Sequence, residues 1–224
     1  MQELVARLGT LEVFEQLTLK EREQLAQWAT PRTFRKGEIV CHQEEVWPFV
    51  LYLADGALRS VIHSPEGRNY VVAVWEAGEV FWAHTVLDDE PMPSTLEAVS
   101  SAQIYQWRGD VALDAVLRNT AAARALLRRQ TQLIRKRRAS IFNLAFNPVA
   151  SRLAKLILDK FRAVAEPTLP RDLTLAEMAE MVASSPEVVC RVLYQFQATG
   201  WLSIERASIT LHDQAALAGV IQHD

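Results

Sequence analysis

Residues 173–213 read LTLAEMAEMVASSPEVVCRVLYQFQATGWLSIERASITLHD, and this stretch decides the fold. Thr174 stands three residues before Glu177, the spacing of a capping box, and Leu175, Met178, Ala179 and Val182 give the helix that follows one apolar face. Ala183-Ser184-Ser185 makes a tight turn, Pro186 suits the first position of a second helix, and Gly200 stops that helix. Two helices joined by so short a turn predict a helix-turn-helix. WLSIE and SITLH, linked by Arg206 and Ala207, predict the two strands of a wing.

The second helix carries the chemistry. Val188, Val189, Val192, Leu193 and Phe196 form its inner side, which leaves Ser184, Ser185, Glu187, Cys190, Arg191 and Gln195 outside, with Arg206 on the wing. In a major groove an arginine can donate two hydrogen bonds to guanine and a glutamate can accept from cytosine. Serines and unpaired amides at a helix start suit phosphate. The alternative is a winged helix used for protein contacts, with Glu187 and Arg191 as an ordinary surface pair one turn apart. The polar residues gather where a groove would be read, which favours DNA.

Upstream, residues 111–147 contain no Gly or Pro. Leu113, Val116, Thr120, Ala123, Leu127, Gln130, Ile134, Arg137, Ile141 and Leu144 recur at steps of three and four, an imperfect heptad seam on one predicted long helix. Such a seam is most readily buried against a second copy, so Leu113, Val116, Ala123, Leu127, Ile134, Ile141 and Leu144 are the expected homodimer interface. Packing against the chain's own β domain is the alternative. Asn147-Pro148 ends the helix, VASRLAKLILDKFRAV forms another amphipathic one, and AEPTLPRD (165–172) reads as a Pro-rich linker.

Between Thr33 and Trp107 the pattern turns to short β segments: FVLYLADGALRSVIH (49–63), NYVVAVWEAGEVF (69–81) and STLEAVSSAQIYQW (94–107), broken by Gly, Asp and Pro turns. Short helices precede them, the second capped by Thr18. The expected class is α+β: a small antiparallel roll at 1–110, a dimerisation helix at 111–147 and a winged helix-turn-helix at 148–224.

Composition narrows the classes further. The net charge of −3 runs against nucleic-acid binding, yet residues 115–158 hold ten basic side chains, including Arg137 and Arg138, and no Asp or Glu. No apolar run reaches the length of a membrane span and no signal peptide is evident, so a cytoplasmic protein is expected. Cys41 and Cys190 are the two cysteines and form no Cys-x-x-Cys pair, which argues against a thiolate-held iron–sulfur or zinc site. No nucleophile–base pair stands out, so an enzyme is not expected.

The whole arrangement resembles the CRP/FNR family of bacterial transcription regulators. The resemblance rests on Glu187-x-x-x-Arg191 in the recognition helix, on Asn143-Leu144-Ala145-Phe146 at the interdomain hinge, and on Gly56, Gly67 and Gly78 at β-roll turns. It implies a jelly roll like the cyclic-nucleotide-binding domain, a dimer on a palindromic promoter site, and contact with RNA polymerase. Cys190 stands where Ser or Gly is common in the family.

The resemblance also speaks to the effector. Where the family's cyclic-nucleotide members place Gly and Glu for the ribose, this chain has Trp82 and Ala83; where they place Arg before Ser for the phosphate, it has Pro93 before Ser94. A buried phosphate would lack its bidentate partner, and Arg137 and Arg138 fall where hydroxyl residues would meet adenine; cyclic AMP is disfavoured. The family's oxygen sensors use an N-terminal cysteine cluster, and no cysteine precedes Cys41. His84 aligns with the heme-ligating histidine of the carbon-monoxide sensor, which keeps a heme-dependent alternative open. Trp75, Phe81, Trp82, His84, Leu96 and Arg137 are the expected surroundings of an unidentified effector; the aromatic residues equally suit a core that fills a vacated pocket.

Overall fold

A computed structural model describes residues 1–163 and 166–221. Two compact units emerge: Met1–His63 with Val72–Lys136, and Ser64–Val71 with Arg137–Asp224. Chain order begins with α1 (Gln2–Leu8), a 3₁₀ turn (Phe14–Gln16), α2 (Leu19–Trp28), β1 (Thr30–Phe34), β2 (Ile39–Cys41), β3 (Phe49–Asp55), β4 (Ala57–His63), β5 (Asn69–Glu76) and β6 (Val80–Trp82). It continues with α3 (His84–Asp88), β7 (Thr95–Ala98), β8 (Ala102–Arg108), α4 (Gly109–Leu117) and α5 (Thr120–Phe146). The remaining elements are α6 (Val149–Ala163), β9 (Thr168–Pro170), α7 (Leu175–Met181), α8 (Pro186–Ala198), β10 (Leu202–Ile204), β11 (Ser208–Leu211) and α9 (Gln214–Gly219). This is the α+β class read from the sequence.

In the first unit, two four-stranded sheets, ordered β1-β8-β3-β6 and β2-β7-β4-β5, make the roll. Successive strand residues point to opposite faces, and β3 serves two cores by that alternation. Leu51 and Leu53 join Leu58, Trp75, Phe81, Met92, Leu96 and Ile104 in the roll interior. Val50 and Tyr52 join Trp82, Trp107 and the apolar faces of α1, α2, α4 and α5 on the outside. The second core is pinned by the Trp107 indole N–H, which donates to the Leu25 carbonyl at 2.7 Å. Cys41 fills space in the interior core, and burial pushes its thiol up to about 12, so it behaves there as a small apolar group. Gly56, at φ 83°, lies so close to the Ser101 carbonyl that no Cβ fits at that turn.

Two sequence expectations are corrected here. The predicted single helix over 111–147 is two helices, because Asn119 interrupts it. Its side-chain oxygen accepts from the Ala121 and Ala122 amides at 3.0 and 3.1 Å, capping α5, while its amide donates to the Gln16 carbonyl at 2.9 Å. Val116 is consequently fully buried in the first unit's own core, with Leu113 packed against it, and neither belongs to an exposed seam. The predicted linker also contains a strand: β9 pairs with β11, Leu169 opposite Ile209, and completes a three-stranded wing sheet. Ala165, the first residue of that stretch, lies outside the described residues.

The second unit has one core, in which Leu153, Ala154, Ile157 and Leu158 of α6 meet Met178 and Ala179 of α7 and Val189, Val192, Leu193 and Phe196 of α8. Within this unit Asn69 donates to a Glu180 carboxylate oxygen at 3.0 Å. Its decisive polar group is Arg152. Its Nε donates to the Val182 carbonyl at 3.0 Å and its Nη1 to the Asn147 carbonyl at 2.8 Å, with longer bonds to Leu144 and Ala183. One guanidinium therefore serves carbonyls at the end of α5 and in the turn before α8, groups that a helix end leaves unpaired.

Replacing Arg152 with Met keeps the bulk of the stem and removes the donors. Bonds to a charged group contribute about 1.5–3 kcal/mol, so amide-exchange protection across α7 and α8 should fall correspondingly while the first unit's protection holds. Unaltered protection over Pro186–Ala198 would show that the guanidinium is dispensable.

Candidate nucleic-acid interface

The site is built on α8. Thr174 and Glu177 form the capping box that starts α7, with bonds of 2.7 Å from the Thr174 amide and 3.1 Å from the Glu177 amide. The Ser184 amide reaches back to the Ala179 carbonyl at 2.9 Å. Ala183 turns the chain in the left-handed region at φ 48°. Ser185 then caps α8, its hydroxyl accepting from the Val188 amide at 3.4 Å, and Pro186 occupies the first turn, where a missing N–H costs nothing.

Burying Val189, Val192, Leu193 and Phe196 fixes the rotation of α8 and so decides what faces out. Glu187, Arg191 and Gln195 are exposed, Ser184 and Cys190 are half-buried, Ser185 is exposed, and Arg206 is exposed at the wing turn. A hydrogen bond from Ser185 holds the Glu187 carboxyl below its ordinary range, keeping it an acceptor. Arg191 makes no side-chain hydrogen bond or ion pair among the described residues, so the surface pairing with Glu187 does not form. One exposed face thus offers a planar five-donor cation and a carboxylate one turn apart.

Sequence reading missed three neighbours of this face. Tyr194, 67% exposed, lies one helical turn beyond Cys190, and Gln197 lies three residues further on. Arg171, directly after β9, comes close to both. Their spacing along α8 was legible, but the return of Arg171 depends on β9 joining the wing sheet.

The six residues expected around an effector do not converge. Trp75, Phe81 and Leu96 belong to the roll interior, where the Trp75 and Phe81 rings meet edge-on at 5.0 Å and the Trp75 indole donates to Ser60 Oγ at 3.0 Å. Trp82, next along β6, necessarily points to the other face and stacks on Phe14 at 5.9 Å. His84 is exposed at the start of α3. Arg137 lies in the second unit, half-buried near Tyr70, whose hydroxyl is pushed upward by burial. Within the first unit the expected residues are therefore divided between two cores and a surface.

Along α5, Ala122, Ala125 and Leu126 face the first unit's core, whereas Leu127, Ile134 and Ile141 are 69, 68 and 65% exposed. Ala123 is half-buried and Leu144 exposed. Phe142 and Phe146, absent from the predicted seam, add exposed aromatic surface with ring centroids 4.9 Å apart.

No helix among the described residues is long and apolar enough to cross a membrane. A cyclic nucleotide-binding domain matches residues 31–119, and a Crp-like helix-turn-helix domain matches residues 151–220. A CRP-like cAMP-activated global transcriptional regulator of Mycobacterium tuberculosis is 22% identical, covering 97% of this chain and 98% of the relative. Among solved structures, a CRP/FNR-family transcriptional regulator from Eubacterium rectale has a TM-score of 0.82 at 18% identity, covering 93% of this chain and 97% of that one. FixK2 from Bradyrhizobium japonicum has a TM-score of 0.73 at 20% identity, covering 88% and 98% respectively. With both domains matched in order and the exposed face of α8 in place, the chain belongs to the CRP/FNR family of transcription regulators.

Proposed function

We propose that this regulator reads a palindromic duplex as a homodimer, through Glu187 and Arg191 of α8, and that its roll answers to something other than cyclic AMP. The observation that carries the reading is the unpaired, exposed Arg191 guanidinium on a helix whose opposite face is locked into the core. In a major groove its fork meets the two acceptors of guanine while Glu187 accepts from cytosine. Ser184, Ser185, Cys190, Gln195 and Arg206 border the same face and would add backbone or base-edge contacts.

The exposed Leu127, Ile134 and Ile141 supply the surface for a second copy, with Ala123 and Leu144 on the same side. Two-fold pairing along α5 would present two α8 helices to successive grooves, matching a palindrome. A promoter-bound dimer of this kind is positioned to contact RNA polymerase, and such a protein works in the cytoplasm and has no enzymatic step. The Mycobacterium relative is cAMP-activated; in this chain Ala83 and Pro93 stand where the nucleotide's carboxylate and guanidinium partners would be, and Trp75, Phe81 and Leu96 pack the interior. That packing favours a roll regulated without a buried nucleotide.

Arg191→Ala should abolish discrimination between a selected palindrome and a scrambled duplex. At about 1–3 kcal/mol per bidentate contact and two contacts per dimer, the loss is roughly 30-fold to 10⁴-fold, read by fluorescence anisotropy with unchanged circular dichroism. Retained discrimination would refute base reading by α8. Ile134→Arg should convert a dimer to a monomer in sedimentation velocity and weaken duplex binding with it; a variant that sediments like the wild type would remove α5 from the interface. Isothermal titration of the full chain with cyclic AMP should give no saturable heat, and micromolar binding would overturn the effector reading.

A further inference from the structure

A cavity of about 450 Å³ opens beside the base-reading face, between α8 and the wing. Cys190, Tyr194 and Gln197 line it from one flank of α8, Glu205 and Arg206 from the wing turn, and Arg171 from the end of β9. Its polar lining sets two arginines against one carboxylate, that of Glu205. Neither guanidinium makes a hydrogen bond or ion pair among the described residues.

Arg171 is the telling member. Its backbone amide donates to the Ala207 carbonyl at 2.8 Å, which ties it to the wing turn, and its side chain is half-buried. The adjacent carboxylate is already taken: Asp172 accepts from Lys160 Nζ at 2.7 and 2.9 Å. Glu205 accepts from Ser208 Oγ at 3.4 Å and pairs with neither arginine. A half-buried guanidinium with no acceptor from the described residues keeps its fork of donors available to a ligand.

The neutral groups have the same polarity. Gln197 uses its carbonyl oxygen to accept the Ile204 amide at 3.3 Å, which leaves its NH₂ group as the outward donor. Tyr194, an exposed residue, brings a hydroxyl from the next turn of α8 toward its N-terminus. Two guanidinium forks, an amide N–H and a phenol make a donor-rich concavity whose fitting ligand is an anion with several acceptor oxygens. Its position names the anion. The cavity lies on the flank of α8 that faces the wing, beside Glu187 and Arg191, where a strand bordering an occupied groove would pass.

We propose that Arg171 and Arg206 clamp a phosphodiester of the bound duplex, with Tyr194 and Gln197 as neutral donors, and that this seat sets how α8 lies in the groove. The proposal rests on the DNA-reading assignment above and adds Arg171 as a positioning residue that carries no sequence information. Each phosphate neutralised steepens the dependence of log Kobs on log salt by about 0.9. A dimer that loses one contact per protomer should therefore show a slope shallower by roughly 1.8.

The test uses the full chain and a labelled palindromic duplex selected by the wild-type protein from a randomised pool, titrated between about 50 and 200 mM salt. Arg171→Gln combined with Arg206→Gln should flatten the slope by that amount and either change alone by part of it, weakening selected and scrambled duplexes equally and leaving their ratio intact. Arg171→Lys, which keeps the charge, should restore most of the slope. An unchanged slope in both glutamine variants, with Arg191→Ala still destroying discrimination, overturns the clamp and leaves base reading standing. If Arg191→Ala leaves discrimination intact, the underlying assignment falls instead. Inorganic phosphate titrated into the DNA-free protein should give no saturable heat. Saturable binding that Arg171→Gln removes, with the duplex slope unaltered, would assign the seat to a free phosphate and overturn the proposal.

Discussion

The recognition unit hangs on one cation. Arg152 gathers the carbonyls of Leu144 and Asn147 from the end of α5 and those of Val182 and Ala183 from the turn before α8. Both groups are helix-end acceptors with no partner of their own, and a guanidinium can serve several at once because its donors radiate in one plane. The last turn of α5 and the turn between α7 and α8 therefore share an anchor. Any rotation of the α5 terminus must either carry the turn before α8 with it or break charge-assisted bonds.

Much of this was legible in the sequence because caps and periodicities are local. The capping box at Thr174 and Glu177, Pro186 at the start of α8 and the valines that bury one of its faces all act over a few residues, and the structure places each as read. The interruption at Asn119 was hidden by a seam that runs through it without Gly or Pro. Asn is nevertheless a strong cap, and what makes it decisive is tertiary: the Gln16 carbonyl, 103 positions away, holds its amide. The strand at Thr168–Pro170 was masked by prolines that mark linkers in general but are tolerated at a sheet edge. The division of the expected effector surroundings was not legible without the strand register: alternation along β6 sends Phe81 and Trp82 into different cores.

The roll interior is filled by its own aromatic side chains. Trp75 contributes its bulk to the interior and satisfies its single donor on Ser60, so the ring needs nothing from solvent or ligand. Phe81 and Trp47 continue the aromatic packing at 6.4 Å. Trp82, by contrast, is buried with its indole N–H unpartnered, a local frustration in the core beneath α4 and α5 rather than in the interior.

Ala183 has a consequence of its own. A non-glycine residue at φ 48° holds a strained backbone in the turn, and glycine would relieve that strain at the expense of a far looser unfolded chain. With Pro186 restricting the backbone three residues later, the reading head is rigid before it meets a partner. Much of the turn's ordering entropy is then met during folding rather than on association with a partner.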